Sequence, residues 1–367
     1  MILPTVFFRV VLVAALVLGA CGANQREAEQ DAPRTAAERT GSELSVRTLD
    51  DRVEIRRGDQ VVLAYHFKDV SRPFFHPVLA PGGYELTRRW PILPAVAGEE
   101  KDHPHQRSLW FAHGDVNGHD FWTEGKEAGR IVQTSIDAKR TTRDTALIRS
   151  SDDWIAASGD RVLRDERVVR FVERDGRRTM DFVVRMIASD GDLVFGDTKE
   201  GTMAIRLTPS MRVEGEVANG HLLMSTGLRD TKAWGTRAAW LHAQGPPLGA
   251  SDETLIGVVM FDHPQNLRHP SWWHARTYGL LAANPFGIHA FTKQSKAPRP
   301  KDAGRFALAA DKTLTLRYRF LLHQGSLEAK DIEHEWAAYK SAPPLDGDPL
   351  DGVPLDSEPL DGEEKKR

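Results

Sequence analysis

Residues 102–122 combine histidines with carboxylates, an arginine and an amide at close spacing. Four of the chain's 14 histidines fall in this stretch. A core strand rarely carries so many titratable groups, because each must be hydrogen-bonded or hydrated when it is buried. Imidazole takes up and releases protons near neutral pH. The stretch therefore predicts a site for acid–base chemistry.

The spacing of these residues suggests how they are positioned. His103 and His105 are two residues apart, so on an extended strand both rings lie on one face, which Arg107 continues. Glycines at positions 114 and 118 permit sharp turns that direct Asp115 and Asn117 back toward that face. The alternative interpretation is a hydrogen-bond network that only holds a loop.

A second segment, residues 261–274, places three histidines, an arginine and two adjacent tryptophans in one irregular run. Trp272 and Trp273 suit the C–H face of a sugar ring, and His274 can bind its hydroxyl groups. The tryptophans could instead close the end of the fold as core residues. Asp197 and Glu200 could supply acid–base carboxylates or could cap a turn.

Composition narrows the class of protein. The formal net charge of −3 gives no basic surface for nucleic acid. The hydrophobic content of 40% fits a globular body and not a polytopic membrane protein. The single cysteine, Cys21, excludes internal disulfides and thiolate metal clusters.

The two ends of the chain differ from its body. Residues 1–21 contain a charged residue, then an apolar run, then small residues, which is the order of regions in an export signal. The ending Leu18–Cys21 resembles a bacterial lipobox. We expect an exported lipoprotein, lipidated at Cys21 and held at a membrane only by that lipid; an uncleaved anchor and a plain signal peptide are the alternatives. Residues 22–42 read as a disordered tether, and residues 342–367, with their Pro-Leu-Asp repeat, as a disordered tail.

The sequence pattern of the body, residues 43–341, predicts β-structure without an internal domain linker. Alternating apolar residues bounded by turn residues predict strands at 52–57, 60–67, 130–139, 146–156, 161–173, 179–188, 203–207 and 314–322. One helix is predicted, from Ser326, which can cap it, to Lys340. Strands without alternating helices favour an all-β fold, a large antiparallel β-sandwich of two wide sheets with one C-terminal helix.

Four motifs carry a resemblance to a known family: 102–122, 196–201, 234–237 and 262–274. They resemble a bacterial family of unknown function that is often labelled PmoA-like, over most of residues 45–325. Gln106 stands where many relatives have a histidine. Methane oxidation, which the label suggests, is rejected because the body has no transmembrane helices. The resemblance implies a galactose-mutarotase-like supersandwich and, through relatives fused to sugar oxidoreductases, a carbohydrate ligand.

The leading hypothesis is therefore a carbohydrate-active enzyme, an epimerase, lyase or hydrolase, acting on a sugar or oligosaccharide. The expected catalytic residues are His103, His105, His113 and Asp115. The expected substrate-binding residues are Arg107, Asn117, Asp197, Glu200, Trp272, Trp273 and His274. Two alternatives stay open: a zinc, iron or copper site built on the His-x-His pair with Asp115, and a non-catalytic sugar-binding lipoprotein. No cofactor is identified.

Overall fold

Alternation of buried and exposed residues builds a fold whose regular secondary structure is mostly β-strand. The computed structural model describes residues 43–250, 253–293 and 295–345. Its strands in chain order are β1 (Leu44–Thr48), β2 (Arg52–Arg57), β3 (Gln60–His66), β4 (Phe74–Val78), β5 (Leu109–His113), β6 (Arg130–Thr142), β7 (Thr145–Ile155), β8 (Arg161–Arg174), β9 (Arg177–Ile187), β10 (Leu193–Phe195), β11 (Gly201–Arg206), β12 (His221–Met224), β13 (Trp240–Gly245), β14 (Ile256–Asp262), β15 (Trp272–Trp273), β16 (Leu280–Asn284), β17 (Phe306–Leu308) and β18 (Thr313–Gln324).

Two eight-stranded sheets make up the body. The first has the order β1–β2–β3–β4–β5–β11–β16–β15 and the second the order β12–β13–β14–β18–β9–β8–β7–β6. β10 and β17 form a separate small ribbon, and the paired strands are antiparallel. The prediction of a large antiparallel β-sandwich with a C-terminal helix is confirmed.

The core lies between the inner faces of the two sheets. Phe111 of β5 reaches across to Trp154 of β7 and Phe182 of β9, with ring centroids 6.3 and 6.0 Å apart. On β18 Leu316, Tyr318 and Phe320 are fully buried as predicted, but Leu321 on the other face is buried as well because the C-terminal helix covers it, so the strand is not half-buried. Burial of such large apolar side chains is the main force holding the sheets together.

The predicted helix forms as α2 (Ala329–Lys340) but begins three residues later than expected. Ser326 does not cap it; Glu328 occupies the cap position without a side-chain cap bond. Ile332 and Tyr339 pack on the outer face of the second sheet, against Phe261 and other apolar residues. A second, short helix, α1 (Ile288–Thr292), was not predicted. Within the described ranges, no helix is long and apolar enough to cross a membrane.

Three predicted segments fall partly or wholly outside the described residues. The signal segment with Cys21 and the tether lie outside them, as does the tail beyond Leu345. Leu345 itself, in the first Pro-Leu-Asp repeat, is buried against Leu147, Val168 and Val183 of the second sheet.

A charged group lies buried between the sheets. Arg167 of β8 contacts Asp152 at 3.1 Å and Asp165 at 2.7 Å, and neither carboxylate is exposed. Trp154 Nε1 also donates to Asp165, at 2.7 Å. Burial raises the pKa of Asp152 to about 8, with Asp165 adding to the increase and Arg167 opposing it. One guanidinium therefore holds two buried carboxyl groups together.

We predict that Arg167→Met lowers the free energy of unfolding by about 3–5 kcal/mol, because it leaves the buried Asp152–Asp165 carboxyl pair without its counter-charge. Urea unfolding at pH 7 measures the change. Arg185→Met is the matched control: Arg185 pairs with Glu166 on the exposed face of the same sheet, and its loss costs about 1 kcal/mol or less. Equal losses in the two variants would contradict this interpretation.

Candidate functional site

The period of two along the strands divides the predicted site residues between the two faces of the first sheet. Arg206 of β11 pairs with Leu280 of β16, and His274 exchanges backbone hydrogen bonds with Ala282 two residues further along β16. Directly opposed residues and residues two apart share a face. Arg206 and His274 therefore lie on the same face, opposite to the face of Phe111 that packs in the core.

The loop that carries His103 and His105 is held from beneath by two buried arginines. Arg88 donates to the carbonyl oxygens of Asp102, His103 and Gln106 at 2.9–3.1 Å. Arg88 and Arg206 both contact the Asp102 carboxylate, at 2.5 and 2.9 Å. The prediction of an extended strand here is wrong: residues 101–107 form a turn-containing loop and His103 has a φ of 46°. Pro104 has no N–H to give to a ladder, and the loop carbonyls bond to guanidinium groups instead.

Asp102 and His103 form a paired carboxylate and imidazole. His103 Nδ1 lies 2.7 Å from Asp102 Oδ2, and the side chain of His103 is 43% exposed. Burial opposes the ionisation of Asp102, but Arg206, His103 and Arg88 outweigh it and keep its pKa below the ordinary value. The carboxylate therefore fixes the ring and leaves Nε2 as the nitrogen that can exchange a proton.

Tyr278 forms a platform beneath the exposed histidine. The rings of His103 and Tyr278 are stacked, with centroids 5.5 Å apart and planes 11° apart. The Arg206 guanidinium lies 4.4 Å from the centre of the same tyrosine ring. His105 packs edge-on against His103 at 5.7 Å, and burial together with the charge of Arg72 lowers its pKa to about 4.

His274 is a second histidine with one committed nitrogen. Its Nδ1 lies 2.9 Å from the carbonyl oxygen of Lys199, so the neutral ring donates there and keeps its lone pair on Nε2. Burial, with the charges of Lys199 and Arg276, lowers its pKa to about 3. Trp234 packs edge-on against it at 5.0 Å. His274 is thus neutral at pH 7 and can act as a base.

These contacts define a continuous set of side chains, called here the histidine cluster. Arg276 joins its two halves, because its guanidinium lies 4.7 Å from the Trp234 ring and 5.6 Å from the Tyr278 ring. The members of the cluster are Asp102, His103, His105, Arg206, Trp234, His274, Arg276 and Tyr278.

His113 lies on the opposite face of the sheet. It is two residues from Phe111 on β5 and shares its inward direction. It is 1% exposed, its Nε2 lies 3.0 Å from the Gly196 carbonyl oxygen, and its ring packs on Phe286 at 4.8 Å. The structure does not bring it together with His103 and His105, and this placement favours a core role.

Asp115 and Asn117 point away from the histidine cluster and shape their own loop. Asp115 Oδ1 accepts a hydrogen bond from the Gly118 N–H at 3.0 Å. Asn117 accepts from the Val194 N–H at 2.7 Å and donates to the Asp192 carbonyl at 3.1 Å. The expectation that the turns aim both residues back at the histidines does not hold, because the Gly118 N–H binds Asp115 and backbone groups of Asp192 and Val194 bind Asn117.

The three charged residues proposed for substrate binding have partners within the protein. Arg107 makes a two-bond contact with Glu124, at 2.8 and 2.9 Å. Asp197 accepts hydrogen bonds from the backbone N–H groups of His289 in α1 and of Gly304, at 2.7–3.1 Å. This contact agrees with the interpretation that Asp197 caps a turn. Glu200 forms an ion pair with Lys199 beside His274.

Trp272 and Trp273 are adjacent on β15, so their side chains lie on opposite faces of the first sheet. Trp273 is fully buried and donates from Nε1 to the Ala238 carbonyl at 2.9 Å, so it is a core residue. Trp272 is half-buried on the face of His274, and the Arg237 guanidinium covers its ring at 4.5 Å. Of the two, only Trp272 lies on the side of the histidine cluster.

The geometry does not favour the three-histidine metal site. His113 is on the other face, and Asp115 is bonded within its own turn. Among the described residues, no three histidine, cysteine, aspartate or glutamate side chains are placed to hold one metal ion. Gln106 does not provide a missing ligand, since its Oε1 accepts from Arg206 Nη1 at 2.5 Å.

Two cavities lined by the described residues lie away from the histidine cluster. A groove of about 620 Å³ is lined by residues from Asp50 to Gln133, with no histidine among them. A smaller one of about 160 Å³ lies under the segment after α2 and includes His263 and Tyr339. The histidine cluster is instead an open surface on which His103 and Arg276 are exposed.

Sequence reasoning missed five members of the cluster as site residues: Asp102, Arg206, Trp234, Arg276 and Tyr278. Trp234 lies in one of the four motifs, so its signal was present but was not converted into a role. Arg276 and Tyr278 follow His274 at spacings of two, the period that places strand residues on one face. Arg206 sits at the end of an apolar strand, and nothing in its local pattern indicates its contact with Asp102.

Buried histidines make a testable contribution to stability. Burial lowers the pKa of His113 to about 4, so protonation favours the unfolded chain and stability is lost as the pH falls below about 6.5. One such histidine costs about 2 kcal/mol at pH 5. We predict that His113→Gln, which keeps an amide donor for Gly196, reduces the loss of unfolding free energy between pH 7 and pH 5 by about that amount.

Urea unfolding of both proteins at the two pH values measures this difference. Asp152, with its raised pKa, changes stability in the opposite direction in both proteins and cancels in the comparison. An unchanged pH dependence in the variant would show that His113 titrates normally in the folded protein.

Comparisons with solved structures give low but extensive similarity. The galactosidase domain of an α-galactosidase–sucrose kinase is 8% identical, with 78% of this chain and 41% of that chain covered and a TM-score of 0.36. A GH36 α-galactosidase from Geobacillus stearothermophilus is 7% identical, with 76% and 41% covered and a TM-score of 0.36. The chain thus spans about two-fifths of these galactosidases.

A galactose mutarotase related enzyme from Lactobacillus acidophilus is 10% identical, with 76% of this chain and 97% of that chain covered and a TM-score of 0.27. No curated protein matches in sequence. One family model also matches the chain. Its description agrees with the predicted family of unknown function but does not carry the PmoA-like label. The model described as "Family of unknown function (DUF6807)" matches residues 52–337, and the chain belongs to that family.

Proposed function

We propose that this protein is a carbohydrate-active enzyme that binds a sugar at the histidine cluster and transfers a proton on it. The observation that carries the proposal is a pair of histidines whose Nδ1 atoms are both hydrogen-bonded within the protein. His103 Nδ1 bonds to the Asp102 carboxylate, and His274 Nδ1 bonds to the Lys199 carbonyl oxygen. Each retains Nε2 for proton exchange, and Tyr278 and Trp234 lie between them. Acid–base catalysis needs such positioned groups within one site.

The two histidines differ in a way that suits opposite roles. His274 is buried and its pKa is lowered to about 3, so its ring is neutral at pH 7 and its Nε2 lone pair is not protonated. His103 is exposed, and the Asp102 carboxylate holds its Nδ1, which fixes the orientation of the ring and leaves Nε2 available to a ligand. We assign the base to His274 and the acid to His103. His105 packs against His103 and fixes its orientation.

The surroundings suit a sugar ring. Aromatic faces stack on the C–H groups of pyranoses, and arginine and histidine nitrogens bind hydroxyl groups. Tyr278 and Trp234 are partly exposed beside the Arg276 guanidinium that lies over both rings, so the uncovered parts of the rings supply apolar contact. A sugar on this surface would contact both histidines, and proton transfer to a ring carbon or oxygen would lead to epimerisation, elimination or hydrolysis.

We predict that His103→Gln and His274→Gln each lower kcat by about 10²–10⁴ while sugar binding changes by only a few-fold. A proton NMR assay in D₂O over a panel of aldoses, uronates and glycosides detects anomer exchange, C–H exchange, elimination and hydrolysis together. His221→Gln is the control, because His221 is an exposed histidine paired with Asp230 outside the cluster. Full turnover in both cluster variants contradicts the proposal, and saturable binding without any product supports a non-catalytic sugar-binding protein.

We also propose that the protein is exported and lipidated at Cys21, on the strength of the lipobox-like ending of residues 18–21. We predict that Cys21→Ser abolishes incorporation of a labelled fatty acid and moves the protein out of the membrane fraction. Cys21 is the chain's single cysteine, so thioether-linked lipid reports this position alone. Membrane association that persists without lipid labelling would instead support an uncleaved anchor.

A further inference from the structure

One arginine of the histidine cluster has no acidic partner. The guanidinium of Arg276 rests on the Trp234 and Tyr278 rings, and the residue is exposed. Within the described part of the chain it forms no ion pair. Arg88, Arg107 and Arg206, by contrast, each contact a carboxylate at 2.9 Å or less.

The members of the histidine cluster carry an excess of positive charge. They include two guanidinium groups, Arg206 and Arg276, and one carboxylate, Asp102. The histidines do not balance the excess, because a neutral ring carries no charge and a protonated one adds to it. An uncompensated charge beside low-dielectric aromatic surface attracts an anion more strongly than one in open water.

We infer that the sugar bound at the histidine cluster carries a carboxylate, which Arg276 binds. This inference rests on the proposed function and specifies its substrate class as a uronic acid or a chain containing one. Guanidinium and carboxylate groups are planar and match in a two-bond contact, which a neutral hydroxymethyl group cannot make. Trp234 and Tyr278 hold the guanidinium from beneath, which orders the side chain before the ligand arrives.

The carboxylate also suits the proposed proton transfer. A proton on the carbon next to a carboxylate is removed with difficulty, because a second negative charge develops on the same group. A guanidinium bound to that carboxylate offsets the developing charge. The C–H bond breaks, its proton passes to the neutral His274 and its electron pair enters the carboxylate. The pair then returns to carbon and either takes up a proton from His103, which completes an epimerisation, or expels the oxygen substituent on the next carbon, which His103 protonates to complete an elimination.

The test compares matched sugars that differ only at C6. Binding of D-galactose, D-galacturonate and D-galactose 6-phosphate to the full-length protein is measured by NMR titration, with D-glucose and D-glucuronate as a second pair. We expect at least one uronate to bind about tenfold or more tightly than its neutral partner, the ratio given by a charge-assisted hydrogen bond. Arg276→Gln should bring that ratio close to one, and Arg276→Lys should retain part of it.

Arg237→Gln is the matched control. Arg237 is also an exposed arginine over a tryptophan, Trp272, but it donates to the carbonyls of Arg268, His269 and Pro270 at 2.9–3.3 Å. Its substitution should leave the ratio unchanged.

The other outcomes separate the inference from the proposed function. Equal binding of neutral and acidic sugars, unaffected by Arg276→Gln, overturns the inference and leaves the sugar site standing. Tighter binding of the 6-phosphate than of the uronate overturns the assignment to a carboxylate. Absence of binding by every sugar overturns both the inference and the proposed function.

Discussion

The contact between two buried guanidinium groups and the Asp102 carboxylate is the constraint on which the candidate site depends. Arg206 ends strand β11 of the first sheet, Arg88 lies in the segment between β4 and β5, and both are 2% exposed or less. Both contact the Asp102 carboxylate, and Arg88 also donates hydrogen bonds to backbone carbonyl oxygens of the loop 101–107, which does not pair with a strand. A buried charge is stable only when it is paired and hydrogen-bonded. This requirement holds the loop, and with it His103 and His105, against the face of the sheet.

The sandwich itself decides which polar residues can act. One face of the first sheet packs against the second sheet, so every residue pointing that way becomes part of the core whatever its chemistry. His113 and Trp273 are on that face, whereas Arg206, Trp272 and His274 are on the other. Neighbouring residues in one motif are thereby separated into packing residues and candidate site residues.

Electrostatics then gives the exposed face its character. Burial removes the positive charge from His274, while the arginines nearby keep theirs because the guanidinium group stays protonated at any ordinary pH. The result is a neutral base within a positively charged surface. This combination suits proton transfer on a ligand that brings its own negative charge.

The sequence by itself determined the all-β class, the hairpin of β2 and β3, most long strands within a few residues, and the two motifs that hold His103 and His274. These depend on local periodicity and turn residues, which neighbouring positions encode directly. It did not determine that Arg206, Trp234, Arg276 and Tyr278 join the histidines, nor that Asp115, Asn117 and Asp197 are satisfied by backbone groups. Such contacts join residues that are distant in the chain, so only the register of the strands and the burial of each face could decide them.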